Sequence, residues 1–218
     1  MPSTAASMLA NACEVSPASN SARTSGWLLA ALHRNNEAVA QAKLAQQLDP
    51  PSLEANSFLG ATLYYCRRYD EAIDQLHKTL DLEPDYWFAH IYLGSAYEQR
   101  GRLSEALAEF QKARKEEENQ PWALGKLGHV YAVCGKRGEA EKIVVELRER
   151  AKHRFVEPYF VAGIYAGLGE KDEAFSWFKK AYEDRSFLMA HDLENPELDS
   201  LRSDPRFQDL LRQIGLPP

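Results

Sequence analysis

Residues 87–120 read WFAHIYLGSAYEQRGRLSEALAEFQKARKEEENQ, and the same pattern returns on both sides of them. Leu93, Gly94 and Tyr97 stand at i, i+1 and i+4, so they share one helix face. Gly101 follows, where a left-handed residue can end a helix cheaply. Ala106 and Phe110 then fall on a second helix. A step of 34 residues repeats each position. The alanines are Ala38, Ala72, Ala106, Ala140 and Ala174, and the small-residue column is Gly60, Gly94, Gly128 and Ala162. Three more columns keep the register: Leu59, Leu93, Leu127, Val161; Leu63, Tyr97, Tyr131, Tyr165; and Leu76, Phe110, Val144, Phe178. Five columns in one register predict a repeated helix-turn-helix, with the Gly and Ala columns facing each other across a tight helix contact. Gly135 and Gly169 repeat the turn signal, whereas Arg67 departs from it. Leu48-Asp49-Pro50 and Leu82-Glu83-Pro84 close second helices, and Glu118 takes the proline's column in a later unit.

This order of residues resembles the tetratricopeptide repeat. The fold it implies is all-α: a right-handed α-solenoid of about five helical hairpins with a C-terminal capping helix. Units are expected at 19–52, 53–86, 87–120, 121–154 and 155–188. Residues 1–18, Ala/Ser-rich with Pro17, read as a weakly ordered arm, and 189–218 as a C-terminal cap. The first unit is degraded, keeping Ser25-Gly26 and Leu29. At the other end Asp204-Pro205 reads as a helix start and Gly215 as its stop. Between them Phe207, Leu210, Leu211 and Ile214 form one apolar face. Strings such as YYCRRYDEAI, GHVYAVCGKRGEA and LRSDPRFQDLLRQIGLPP also resemble the C-terminal repeat block of large bacterial signalling proteins. There the block follows a winged-helix, kinase or nucleotide-cyclase module, which implies an alternative role here as a regulatory or dimerisation module.

Composition narrows the partners. Lys+Arg total 26 against 32 Asp+Glu, a net charge of -6, so no basic surplus favours nucleic acid. Cys13, Cys66 and Cys134 are far apart and form no CxxC pair, which argues against a disulfide framework or thiolate zinc site. No apolar run reaches membrane-spanning length, and the first residues lack a basic signal region. The expected setting is cytoplasmic.

Motifs of chemistry are missing from the sequence. No P-loop, G-x-S-x-G, H-E-x-x-H or calcium loop is present. The glycines of Gly163–Gly169 belong to repeat columns, and His129 and Cys134 miss the i, i+4 metal pairing. No catalytic residue, cofactor or metal is expected, and the chain reads as no enzyme. Glu116-Glu117-Glu118 reads as a solvated helix end. Arg148, Arg150, Lys152, His153 and Arg154 crowd a helix C-terminus, where the macrodipole favours cations. An acidic partner is the other reading of that run.

The resemblance implies that the first helix of each hairpin lines a concave surface. Carried over position by position, it points inward Trp27; Ser57, Ala61, Tyr64 and Tyr65; Phe88, Ile91, Ser95 and Glu98; Trp122, His129 and Val133; and Tyr159. An aromatic, nearly uncharged lining of this kind anchors a partner. The expected partner is a protein or peptide segment, or a second copy in a homodimer, with Tyr64, Tyr65, Phe88, Ile91, Glu98, Trp122, His129 and Tyr159 as candidate contacts. The family's clamp for a terminal carboxylate is not matched, since Ser57, Ala61, Tyr92, Trp122 and Lys126 fill its columns.

Overall fold

The computed structural model describes residues 29–30, 32–116 and 121–215. The arm 1–18, the start of the first expected unit with Trp27, and Glu117-Glu118 therefore lie outside the described residues. Helices α1 (Asn35–Leu48), α2 (Leu53–Tyr65), α3 (Tyr69–Leu82), α4 (Trp87–Gln99), α5 (Leu103–Glu116), α6 (Pro121–Val133), α7 (Arg137–Ala151), α8 (Pro158–Gly167) and α9 (Lys171–Glu183) follow one another. Then come the short α10 (Phe187–Asp192), a 3-10 turn at Pro196–Leu201 and α11 (Pro205–Ile214). No strand occurs among the described residues. α2 pairs with α3, α4 with α5, α6 with α7 and α8 with α9, while α2, α4, α6 and α8 also stack on one another. The result is an α-solenoid of helical hairpins.

The glycine column works as expected in kind but not in partner. A Cβ on Gly60 would lie 2.5 Å from Leu76 Cγ, and one on Gly94 would lie 2.6 Å from Phe110 Cε1. Gly128 meets Ile164 and Ile143 in the same way. The small residue thus receives a large side chain, and the Ala column is not its counterpart. Ala72, Ala106, Ala140 and Ala174 are each fully buried on their own second helices. Close approach is therefore built by a knob entering a hole, not by two small faces meeting.

The turns explain Arg67. Gly101, Gly135 and Gly169 have φ of 72°, 73° and 76°, and Arg67 adopts the same left-handed conformation at φ 60°. His33, one unit earlier, does so at φ 57°. For a residue with a Cβ this conformation costs about 1–2 kcal/mol. Arg67 has a compensating contact, since its guanidinium donates to both oxygens of Asp199 at 2.5 and 2.8 Å. His33 is exposed and carries no comparable bridge to any of the described residues. His33→Gly is therefore expected to raise unfolding free energy by about 1 kcal/mol in urea. A loss of stability would show that the imidazole has a role in that turn.

First and second helices differ in how completely they are covered. In α3 only Ala72, Ile73, Gln75, Leu76 and Thr79 are buried, one stripe of an amphipathic helix. In α2 every residue from Ala55 to Tyr64 is buried, and in α4 every residue from Ala89 to Glu98. Something packs on the inner face of the first helices as well as the outer. α11 is not that element. It is capped by Asp204, ends at Gly215 with φ 82°, and buries Phe207, Leu210, Leu211 and Ile214. Arg206 pairs with Asp172 at 2.7 Å and lies over the Phe175 ring, tying α11 to α9. The inner face is covered instead by the segment between α9 and α11.

Candidate functional site

Residues 187–201 run across the inner face and are held by side chains from α2, α4, α6 and α8. Tyr64 donates its hydroxyl to Asn195 Oδ1 at 2.6 Å, and Tyr65 donates to Asp192 Oδ1 at 2.5 Å. Tyr159 donates to the Asp192 carbonyl at 2.8 Å. Lys126 Nζ donates to Glu197 Oε1 at 2.6 Å, and Ser95 reaches the same oxygen at 3.4 Å. Apolar side chains complete the contact: Leu188, Met189, Leu193, Leu198 and Leu201 are all buried. Asn195 also starts the 3-10 turn, its side chain accepting from the Glu197 amide.

The sequence-derived candidates separate into two groups. Tyr64, Ile91, Glu98, His129 and Tyr159 are buried, as are Ser57, Ala61 and Ser95. Tyr64, Tyr65, Ser95 and Tyr159 bond the chain's own segment and Glu98 and His129 stand beside its Glu197, so this part of the lining is an internal contact. Burial pushes the hydroxyls of Tyr64, Tyr65, Tyr92 and Tyr159 well above their ordinary titration range, and nearby carboxylates push in the same direction. Phe88 and Trp122 form the second group, half-buried in a cluster with Trp87 and Tyr92. Phe88 and Trp122 rings are 6.0 Å apart at 85°, and Trp87 and Trp122 are 6.3 Å apart, both edge-on. The Trp122 indole nitrogen is buried with no hydrogen-bond partner among the described residues.

The inner face is also less neutral than its sequence columns imply. His129 Nδ1 lies 3.0 Å from Glu98 Oε1, and Glu197 stands beside both. Ligand atoms of Glu98, His129 and Glu197 fall within 4.8 Å of one another, a spacing that could hold a cation. Lys126 already supplies one, and it and Glu197 are each 6% exposed at the side chain. For His129, burial works against the imidazolium, but Glu98 and Glu197 outweigh it and raise its pKa above 6.5. With His129 protonated the cluster has two positive and two negative groups, a balanced ion-pair network rather than a cation cage. Asp192, Asn195, Glu197 and Lys126 were not legible as a site. Their only sequence signal is indirect: PYFVAGIYAG in α8 is apolar on every side, and such a helix must be covered all round.

The basic run behaves as a separate feature. Arg148, Lys152, Arg154 and Lys180, with Val145, Phe155 and Trp177, line a cleft of about 610 Å³ between α7 and α9. Glu149 and Asp184 are also in its wall and pair with Lys152 and Lys180. Phe155 is 63% exposed there. Gly163 and Gly167 lie within α8, so the glycine-rich stretch forms no phosphate loop. Burial pushes the Cys66 thiol up to about 11, away from nucleophilic use. No helix among the described residues is long and apolar enough to cross a membrane.

Comparison with known proteins agrees with this architecture. No curated protein matches the chain. Among solved structures, TTC0263, a thermophilic tetratricopeptide protein of Thermus thermophilus, superposes with a TM-score of 0.60 at 22% identity. That match covers 89% of this chain and 100% of the other. A structure of MamA gives a TM-score of 0.48 at 26% identity, over 78% of this chain and 95% of that one. The family model described as tetratricopeptide repeat matches residues 59–121. Those residues run from the end of α2 through α3, α4 and α5 to the start of α6, and helical hairpins of the same build continue beyond them: residues 59–121 match the tetratricopeptide repeat, and the fold of the described chain is an α-solenoid like that of TTC0263.

Proposed function

We propose that this protein is a non-enzymatic interaction scaffold that receives a segment of a partner protein on its concave side. The observation that carries the reading is the partly exposed aromatic cluster of Trp87, Phe88 and Trp122, with a buried indole N–H that has no partner among the described residues. Large aromatic surface beside an unfilled donor suits a partner that brings an apolar anchor and an acceptor oxygen. Tyr64 and Tyr159 serve the internal contact, so Phe88 and Trp122 are the anchors to test.

Replacing Phe88 and Trp122 with alanine is expected to weaken capture of the native partner by about 1–4 kcal/mol per anchor. Helical content should stay constant, and salt should have little effect, because screening acts on exposed charges. The basic cleft gives the opposite forecast: Arg148→Glu with Arg154→Glu would abolish binding, and salt would weaken it steeply. Affinities at two salt concentrations for wild type and both variants separate the faces. Unchanged affinity in the aromatic variant would sink the proposal.

A further inference from the structure

The inner face of the solenoid already holds a peptide, the chain's own residues 192–199. That segment has little structure to stand on alone, since α10 and the 3-10 turn are six residues each. Its position is set by what reads it. Tyr64 reads the Asn195 amide oxygen, and Lys126 with Ser95 reads the Glu197 carboxylate. The fit is incomplete, because Asn195 Nδ2 and Glu98 Oε2 are buried with no hydrogen-bond partner among the described residues. Buried polar atoms left unpaired weaken the hold of the segment that causes them. Lys126 sets a stricter condition. It is 5% exposed, so a segment that displaces Glu197 without bringing a negative charge would leave a buried ammonium unpaired.

We propose that the inner face is a carboxylate-reading peptide site, that residues 192–199 are its resident, and that its exchanging ligand is a partner-protein segment bearing an acidic side chain for Lys126 and Ser95. This rests on the scaffold reading above and adds the chemistry of the partner. In cis the resident has a high effective concentration, so exchange is best measured once it is weakened. Glu197→Lys does this in the full chain by setting two ammonium groups against each other.

The probe is a fluorescent peptide spanning residues 187–203, followed by anisotropy. The Glu197→Lys chain should bind it at least tenfold more tightly than wild type. A peptide with glutamine in place of Glu197 should bind at least tenfold more weakly, and adding Lys126→Met to the Glu197→Lys chain should remove uptake. Equal uptake by wild type and the variant, no uptake by either, or equal binding of the glutamine peptide would overturn the proposal. Circular dichroism checks that the hairpins persist. If Glu197→Lys unfolds the chain, Glu197→Gln is the milder release, and collapse of both would make the segment core and end the proposal. The aromatic-anchor experiment is independent, so the scaffold reading can survive this failure.

Discussion

Gly94→Leu is expected to lower the unfolding free energy by about 2–4 kcal/mol, a fall in Tm of roughly 5–15 °C for a chain of this size. Even a methyl group at that position would sit 2.6 and 2.8 Å from two Phe110 ring carbons. Phe110 is fully buried, so its ring has nowhere to swing. The whole α4–α5 contact must open, and hairpins in a solenoid depend on their neighbours for covered surface. Gly163→Ala is the control. It lies in a helix of the same class, but nothing lies within 4 Å of a Cβ placed there. It should be neutral or stabilising by up to about 1 kcal/mol, the usual helical advantage of alanine. Phe110→Leu should recover part of the Gly94→Leu loss by vacating the contact. Thermal melts of the three variants decide whether a hole for a knob, and not helix propensity, fixes glycine in this column.

The hairpins were legible because a 34-residue period writes the same packing problem repeatedly, and each column has one physical solution. Register, turn positions and the terminal helix from Asp204 to Gly215 follow from local spacing. The column partner did not, since position alone cannot tell whether Gly94 faces Ala106 or Phe110. The candidate contacts are first-helix residues, as the resemblance implied, yet most lie beneath residues 187–201. A non-repeating segment leaves no periodic trace, and Tyr64–Asn195 joins residues 131 positions apart. What could be read was a demand for cover: first helices too apolar to face water on one side. Which segment supplies it, and that Lys126 and Glu197 would meet there, is tertiary information.

The second large effect lies in that cover. Lys126→Met should cost about 3–5 kcal/mol, because it leaves the Glu197 carboxylate buried without its cation. Replacing both partners, Lys126→Met with Glu197→Met, should cost far less, since paired removal also removes the desolvation burden. The loss should appear first as local opening, read by faster amide exchange in residues 187–201 than in α4 and α6. His129 adds a pH signature. Folding raises its pKa above 6.5, so the folded state binds the proton more tightly. Its contribution is complete below about pH 6.5 and is lost as pH rises through the higher folded value. Amide exchange of the segment should therefore accelerate, after correction for intrinsic rates, on going from about pH 6 to about pH 8.5. In His129→Gln that acceleration should vanish while exchange is already faster at the acid end. An unchanged pH dependence in His129→Gln would place the titrating group elsewhere. A double-methionine variant no more stable than Lys126→Met would mean that apolar packing of Leu193, Leu198 and Leu201, not the ion pair, holds the segment on the inner face.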